Sequence, residues 1–427
     1  MVSMAVLFAI SFAYPVLFAF CKSALYLIFL MLFLDVLLLF SKKEGITSFR
    51  VLPERLSNGD ENEIEVVFKN NFNFGVFATV LEEFPVQLQL REFDFSLRLK
   101  PKKETSLTYL LTPTLRGEYE FGLTNVIGRT FLGLAERRFF TGKSEVVRVY
   151  PSFLQMKKYS LLAFSNNLQE IGIKKVRRIG HNKEFEQIRD YVSGDDIRLV
   201  NWKATARRNS LMVNQYQDER SQQVYCLIDK GRNMKMPFNG LSLVDYAINA
   251  SLVLSNITIQ KQDKAGLITF SDKIGAILSA SGRPTQMNLI QETLYNQKTR
   301  YQEADFGRLY RNIKWNIKRR SLLLLFTNFE SIVGLQRQLK YLRSIAKDHL
   351  LVVVFFKNSE LHEVQKESKN TLTGVYEHTI AEKYLLEQEL IVKELRKYGI
   401  QSILTEPENL TVNTINKYLE IKGRGLV

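Results

Sequence analysis

Cysteine and histidine are scarce in this chain of 427 residues, which contains two cysteines and four histidines. Two cysteines cannot build a disulfide framework, and both Cys21 and Cys226 lie in apolar stretches. The histidines are scattered without the spacing of metal ligands: His181, His349, His362 and His378. These shortages exclude a zinc cluster and are typical of a protein that folds in a reducing compartment.

Recognisable catalytic motifs are also missing from the sequence. There is no Gly-x-Ser-x-Gly elbow, and no histidine lies near either cysteine in the sequence. The segment "TGKSE" at 141–145 imitates the end of a phosphate-binding loop, but Arg137 stands where the first glycine of that motif belongs. We therefore assign no catalytic residue and predict a protein that is not an enzyme. An enzyme of unknown reaction is the alternative.

Acidic residues are too few to balance the basic ones, and the formal net charge is +15. The basic clusters are Lys174-Lys175, Arg177-Arg178, Arg207-Arg208 and Lys318-Arg319-Arg320. No nucleic-acid-binding module surrounds these clusters, and aromatic residues do not alternate with them in a stacking pattern. We therefore predict membrane lipid or an acidic protein as the partner, and no nucleic acid.

The first 43 residues are almost free of charge and predict a transmembrane helical hairpin. Two apolar runs, 1–20 and 24–40, are separated by the short segment "CKS", and each approaches the ~20 residues that a helical span needs. A signal peptide is disfavoured because the first run lacks a basic start and a small-residue cleavage site. Lys42 and Lys43 follow the second run, which predicts that the remaining chain faces the cytoplasm at a bacterial inner membrane.

Asp35 lies inside the second apolar run. A carboxylate is costly in lipid, so we expect it to face the other helix or a partner. Tolerance of the aspartate near a helix end is the alternative.

Short alternating segments follow over residues 44–151. Examples are "EIEVVFKN", "SLTYLLTP" and "EVVRVYP", and turn residues such as Asn58-Gly59 and Arg116-Gly117 separate them. Short strands at this spacing predict an antiparallel β-sandwich domain, interpreted as a spacer or packing domain.

Residues 224–427 alternate between apolar strands and amphipathic helices. The strand candidates are "VYCLID", "KAGLITF", "IGAILSA", "SLLLLFTN", "LLVVVFF" and "IQSIL". Helical candidates lie between them over 241–260, 285–297, 335–347 and 381–399. This alternation predicts an α/β domain whose mostly parallel, Rossmann-like sheet is covered on both faces. Ligands of such sheets bind at the carboxyl ends of strands, where Asp229, Ser271-Asp272 and Thr327-Asn328 fall.

These strand-end residues resemble the metal-ion-dependent adhesion site of a von Willebrand factor A-type domain. That site uses an Asp-x-Ser-x-Ser loop, a later threonine and a more distant aspartate. Here Gly231 and Asn233 replace the two serines, and Asn328 replaces the distant aspartate. Magnesium prefers several oxygen ligands with carboxylate charge, so the site is interpreted as degenerate, without a metal. Weak magnesium binding at Asp229 and a capping role for Asp229 both remain open.

The segment 152–223 is interpreted as a linker with a distinctive signature, "RRIGHNKEFEQIRDYVSGDDIRLVNWKATARRNS" at 177–210. Its residues resemble the signature of the bacterial domain-of-unknown-function fifty-eight family, whose members are membrane proteins with von Willebrand A-like domains. The matching residues are Gly180, Glu184, Phe185, Arg189, Tyr191, Gly194, Asp195, Asp196, Arg198, Trp202, Ala206 and Arg207. One departure is Asn201, because an acidic residue commonly precedes the tryptophan in that family.

Within this signature, Arg189, Asp195, Asp196 and Arg198 predict an ion-pair network that fixes a turn. A partner-binding hairpin is the alternative. Trp202 is expected to pack against the sheet.

The resemblance implies a role without a defined reaction. Family members look like membrane-anchored adaptors for MoxR-type AAA+ ATPases. We therefore expect a non-enzymatic adaptor or scaffold that binds such an ATPase, with a metal-dependent adhesion module as an alternative. Arg232, in the degenerate loop, is a candidate for capturing a partner carboxylate directly through its guanidinium group.

Overall fold

The computed structural model describes residues 15–90, 94–152, 154, 183–192, 195–218, 221–357 and 372–426. The chain divides into two compact units, Met1–Tyr150 and Pro151–Val427.

The first unit begins with helix α1 (Pro15–Phe40). Its segment Phe18–Phe40 is, in the described part of the chain, the one helix long and apolar enough to cross a membrane. The predicted turn at "CKS" is not formed, because 21–23 lie within this continuous helix. Cys, Lys and Ser do not break a helix, and the Lys22 ammonium lies 6.0 Å from the ring centre of Tyr26, one turn later. Residues 1–14 of the first predicted span lie outside the described residues.

Ten strands follow α1 in the described part of this unit. They are β1 (Ile46–Val51), β2 (Arg55–Ser57), β3 (Asn62–Asn70), β4 (Val76–Glu82), β5 (Asp94–Leu99), β6 (Glu104–Leu111), β7 (Gly117–Phe121), β8 (Thr124–Arg129), β9 (Glu136–Thr141) and β10 (Glu145–Tyr150). The strand orders are β1-β3-β6, β2-β10-β7 and β5-β4-β8-β9. All pairs are antiparallel except β2 with β10, so the predicted β-sandwich-like region is present.

The alternating strands of this unit enclose an apolar core. Ile64, Val66 and Phe68 on β3 point into it and are fully buried, as the period of two requires. Leu39, from the last turn of α1, belongs to the same cluster. The apolar helix is therefore packed into the β region at its carboxyl end.

The second unit contains a hairpin and a six-stranded sheet. The hairpin strands are β11 (Lys183–Asp190) and β12 (Met212–Asp218). The sheet strands are β13 (Gln223–Asp229), β16 (Lys264–Phe270), β17 (Ile274–Ser281), β18 (Leu322–Phe326), β19 (Leu350–Phe356) and β20 (Gln401–Thr405), and β14 (Pro237–Phe238) with β15 (Leu241–Ser242) forms a small separate ladder. All six predicted strands are confirmed.

The sheet order is β17-β16-β13-β18-β19-β20. Every pair is parallel except β16 with β17, which places an antiparallel strand at one edge. The sheet is thus mixed, and the prediction of a mostly parallel α/β domain holds. Strand β13 precedes its two neighbours in sequence and separates them, so its carboxyl end lies where the strand order reverses. Open α/β sheets place their ligands at such a point.

Helices cover both faces of this sheet. They are α3 (Leu243–Gln260), α4 (Thr285–Tyr295), α5 (Phe306–Asn316), α6 (Ile332–Asp348), α7 (Leu372–Lys397) and α8 (Leu410–Gly423), whereas the short helix α2 (Trp202–Arg208) lies beside β12 of the hairpin. Side chains of α3, α4 and α8 complete the core on one face, and those of α5, α6 and α7 complete the core on the other. Because both faces are covered, the central strands are apolar throughout rather than alternating.

Candidate functional site

A cavity of about 100 Å³ opens at the carboxyl ends of β13 and β18. Its lining residues are Asp229, Gly231, Arg232, Asn233, Glu303, Ala304, Phe306, Thr327, Asn328, Phe329, Glu330, Ser331, Gly334, Arg337 and Gln338. The five strand-end residues singled out from the sequence, Asp229, Gly231, Arg232, Asn233 and Asn328, all lie in this lining. We call it the strand-end pocket.

Asp229 forms the buried floor of the strand-end pocket, with 3% of its surface exposed. Its Oδ1 accepts a hydrogen bond of 2.7 Å from the Gly231 amide, and its Oδ2 accepts one of 2.7 Å from the Thr327 hydroxyl. Burial raises the pKa of this carboxyl to about 6, against the lowering effect of the two hydrogen bonds. The carboxylate therefore holds the ends of two strands together.

Gly231 is required by close packing. A Cβ at this position would lie 3.0 Å from Asp229 Oδ1 and 3.2 Å from both the Gln302 carbonyl oxygen and the Ala304 amide nitrogen. The Arg232 amide also donates a hydrogen bond of 3.0 Å to the Gln302 carbonyl. The loop after β13 is thus pinned against residues 302–304, which explains a glycine where the adhesion motif has a serine.

Charged side chains form the rim of the strand-end pocket. The Arg232 guanidinium lies 2.9 Å from a Glu303 carboxylate oxygen, and both side chains are 58% exposed. An exposed pair of this kind contributes little to stability, about 0–1 kcal/mol, and exchanges easily for another partner. Arg337 and Glu330 also line the rim. Lys230 does not line the rim, because its ammonium donates a hydrogen bond of 2.7 Å to Gln297 Oε1.

The carboxylate oxygens of Asp229 are already engaged by protein donors. Asp229 is the one acidic residue of the adhesion pattern, and both of its oxygens already accept hydrogen bonds from protein groups. In the described part of the chain, no group of three or more His, Cys, Asp or Glu side chains is placed to hold a metal. The buried amide oxygen of Asn328 has no hydrogen-bond partner among the described residues.

The other predicted strand-end pair, Ser271-Asp272, does not line the strand-end pocket. The Ser271 hydroxyl donates a hydrogen bond of 2.8 Å to Asp272 Oδ1, and Arg300 lies 3.3 Å from the same oxygen. These contacts lower the pKa of Asp272. Glu303 and Arg337, which do line the pocket, come from loop and helix segments that carried no recognisable motif.

The family signature folds as the β11–β12 hairpin and helix α2. Arg189 pairs with Asp195 at 2.7 Å, and the second oxygen of Asp195 accepts a hydrogen bond of 3.0 Å from the Val192 amide. The predicted network is smaller than expected, because Asp196 accepts a hydrogen bond from the Arg198 amide rather than from its side chain. Gly180 and Gly194, and the side chains of Glu184 and Phe185, lie outside the described residues.

Helix α2 explains the departure at Asn201. The side-chain oxygen of Asn201 accepts a hydrogen bond of 3.0 Å from the Ala204 amide and caps the helix, a role that asparagine and aspartate fill equally well. The expectation that Trp202 packs against the sheet is wrong, because this first residue of α2 is 69% exposed. Tyr191 is half-buried, and Arg207 is exposed in the last turn of α2.

Sequence comparison places the signature in a family. Residues 187–373 match the family described as "Protein of unknown function DUF58". The curated "Uncharacterized protein YeaD" of Bacillus subtilis (strain 168) is 25% identical over 207 residues, which cover 47% of this chain and 51% of the relative. The chain thus spans about half the length of that relative.

Structure comparison gives more distant similarities. The "conserved hypothetical protein BatB" of Bacteroides thetaiotaomicron is 13% identical, with a TM-score of 0.33, and the match covers 48% of this chain and all of that one. The CARDB domain of the PF1109 protein of Pyrococcus furiosus is 25% identical, with a TM-score of 0.19, over 24% of this chain and 86% of that one. The match to the family described as "Protein of unknown function DUF58" includes the part of the signature from residue 187 onward.

Proposed function

We propose that this chain is a membrane-anchored, non-enzymatic adaptor that binds an acidic segment of a partner protein at the strand-end pocket. The proposal rests on the different environments of two charged side chains in that pocket. Asp229 is buried and held by internal donors, whereas Arg232 stands at the rim in an exposed pair with Glu303. A partner carboxylate can replace Glu303 and bind the guanidinium in bidentate fashion.

The fold supports this proposal. We infer that the second unit is a von Willebrand A-like domain whose adhesion site has lost its metal and gained a cation. The pocket lies at the switch point of the sheet, the position where such folds recognise ligands. The partner class that follows from the family resemblance is a MoxR-type AAA+ ATPase.

The anchor is helix α1. A predominantly apolar span of 23 residues, Phe18–Phe40, is long enough to cross the hydrocarbon core of a bilayer. Lys42 and Lys43 directly follow it, and basic residues favour the cytoplasmic side. We propose insertion in the bacterial inner membrane, with both folded units in the cytoplasm.

The test is capture of the partner from native membranes by the full-length protein after crosslinking. We expect a MoxR-type ATPase to be recovered with the wild type and lost with Arg232→Glu, which adds a fourth carboxylate to Asp229, Glu303 and Glu330 in the pocket lining. The matched control is Arg311→Glu, the same charge reversal at an exposed position of α5 outside the pocket lining. Equal recovery with both variants would contradict the proposed role of Arg232.

A second candidate function is a metal-dependent adhesion module or an enzyme of unknown reaction. It is favoured by the unpartnered amide oxygen of Asn328, which is a possible ligand for a hard cation beside Asp229. Metal analysis of the purified protein separates the two candidates. Stoichiometric magnesium or manganese, together with loss of capture in EDTA, would favour the metal-dependent module. Capture of the partner that persists in EDTA supports direct binding of the partner carboxylate by the Arg232 guanidinium.

A further inference from the structure

Asp35 is a buried carboxylate on the apolar helix α1, and it contacts the loop 130–135 rather than a second helix. Its side chain is fully buried. It accepts hydrogen bonds from the Thr130 hydroxyl, from the Leu134 amide at 3.0 Å and from the Ala135 amide at 2.9 Å. Three donors thus compensate a group that is costly near lipid. The same bonds fasten the loop to the side of the helix.

This loop, "TFLGLA" at 130–135, is apolar and exposed. It connects β8 to β9 and contains no charged residue. Phe131 is 75% exposed and Leu134 is 45% exposed, although both belong to residue types that fold inward in water. Arg129 and Glu136 pair at 2.9 Å directly outside the loop, so charge returns at its base.

The position of Asp35 along α1 sets the depth of the loop. Asp35 precedes Phe40, the last helical residue, by five positions, which corresponds to ~7.5 Å along the helix axis. If the apolar span Phe18–Phe40 fills the bilayer, the backbone of the loop lies at the margin of the hydrocarbon core.

Basic residues lie at the same end of the β region, at the level of the headgroups. Lys42 and Lys43 follow the helix, and Arg138 is exposed in the first half of β9, two residues after Glu136. Lys43 and Arg138 line one groove beside this end. Cations beside an apolar projection complement the surface of an anionic bilayer.

We propose that the loop 130–135 is a membrane wedge, inserted beside α1 into the bilayer that the helix spans. Phe131 and Leu134 contact acyl chains, and the neighbouring cations contact anionic headgroups. The occupant of this exposed apolar surface is therefore lipid, because the lipid-exposed face of α1 is continuous with it. The inference rests on the proposed membrane anchor and goes beyond it, because it places part of the β region in the membrane.

The test uses the full-length protein in nanodiscs of phosphatidylcholine and phosphatidylglycerol. Both native cysteines are buried and free, so Cys21→Ala and Cys226→Ala provide a background for single spin labels. Labels are placed at Leu134→Cys in the loop, at Leu27→Cys on the lipid-exposed part of α1, and at Leu115→Cys as the control.

Leu115 is matched to Leu134 in type and exposure, at 55%. It lies beyond the end of β6 that is far from α1. Glu104, at the start of β6, pairs with Lys69, next to the Ile46–Asn70 pair that follows α1. Leu111, at the other end of β6, pairs with Asn62. The length of β6 separates the two ends by roughly 20 Å or more.

The measurement is the accessibility of each label to oxygen, which concentrates in lipid, and to a water-soluble nickel chelate. We expect the oxygen-to-nickel ratio at position 134 to be several-fold higher than at 115 and to approach that at 27. A ratio at 134 equal to that at 115, with a lipid-like ratio at 27, overturns the wedge and leaves the anchor standing. An aqueous ratio at 27 overturns both. Spin–spin broadening at 134 overturns the wedge by showing that a second copy covers the loop.

Discussion

The hydroxyl of Thr327 donates a hydrogen bond of 2.7 Å to Oδ2 of Asp229 and so joins the ends of two adjacent parallel strands. The threonine hydroxyl and the Gly231 amide occupy both carboxylate oxygens. These two bonds hold the pocket floor together.

The first prediction concerns the charge of Asp229. Its pKa rises from 3.8 to about 6 on folding, so the folded state binds more protons than the unfolded state between these values. Stability therefore falls as the pH rises through this window and stays lower above it. Asp229→Asn removes this penalty while keeping the acceptor for the Gly231 amide, and we expect it to raise the free energy of unfolding at about pH 7.5 by roughly 1–2 kcal/mol, since the bond from Thr327 is lost.

Urea denaturation of the detergent-solubilised protein, followed by circular dichroism, measures this effect. The gain should shrink at about pH 4.5, where the wild-type carboxyl is protonated. Asp272→Asn is the control with the opposite sign, because the pKa of Asp272 is lowered. Its carboxylate stabilises the protein above the unfolded pKa, and this contribution disappears as the pH falls. A constant difference between Asp229→Asn and the wild type across this range would contradict the prediction.

The second prediction concerns the Thr327 hydroxyl, which donates a hydrogen bond to Asp229. Thr327→Val keeps the shape of the side chain and removes the hydroxyl that stabilises ionised Asp229. The pKa of Asp229 should rise further, and the protein should lose about 1.5–3 kcal/mol at neutral pH and less in acid. Combining the change with Asp229→Asn gives a double-mutant cycle in the same urea assay. Strict additivity of the two changes would show that the residues do not interact.

The third prediction concerns the attachment of α8. Asp263 is fully buried and accepts hydrogen bonds from the Gln222 amide, the Tyr418 hydroxyl and the Lys422 ammonium. Asp263→Ala removes a buried acceptor shared by three donors, and we expect a loss of about 3 kcal/mol. Tyr418→Phe removes one bond only and should cost about 1 kcal/mol.

The control for α8 is Asp348→Ala at the exposed end of α6, which should change the free energy of unfolding by less than about 0.5 kcal/mol. Similar losses for Asp263→Ala and Asp348→Ala would mean that the buried carboxylate does not hold the helix.

The fourth prediction concerns the hydrogen bonds that fasten the loop 130–135 to Asp35 of α1. Asp35→Asn can still accept the Leu134 and Ala135 amides through its oxygen, while its NH₂ group faces the Thr130 hydroxyl. Asp35→Leu offers no acceptor. We expect the amides of Leu134 and Ala135 to exchange hydrogen several-fold faster in Asp35→Leu and at the wild-type rate in Asp35→Asn. Hydrogen-exchange mass spectrometry in nanodiscs measures both, and equal protection in the two variants would refute the clamp.

The α/β fold could be predicted because its signal is local. Runs such as "SLLLLFTN" are buried on both faces, so the strand and its end are visible in the sequence, and Asp229 and Thr327 fall at the carboxyl edge. The antiparallel direction of β17 is set by its connection to β16, because residues 271–273 are too few for the crossover that a parallel pair needs. Helix α5 was missed although Asp305 caps it and Phe306, Leu309 and Ile313 follow the helical period.

The strand-end pocket was only half predictable. Gly231, Arg232 and Asn233 come from a motif with known spacing. Glu303 comes from a loop about 70 residues away, and backbone hydrogen bonds bring that loop to the pocket, from the Arg232 amide to Gln302 and from the Arg300 amide to Lys230. Trp202 was placed wrongly because a large apolar side chain favours burial, whereas its position at the start of a short helix leaves it in solvent.

Arg137 joins the anchor to the folded part of the chain. Its guanidinium donates hydrogen bonds of 2.8 Å to the carbonyls of Leu39 and Lys42 and of 3.1 Å to that of Lys43, and it lies over the ring of Phe40. One side chain of β9 thus contacts the end of α1 and the segment that follows it, where a flexible joint would otherwise form. If α1 spans a bilayer as proposed, the β region shares its slow rotational diffusion, and a tilt of the helix turns the β region by the same angle.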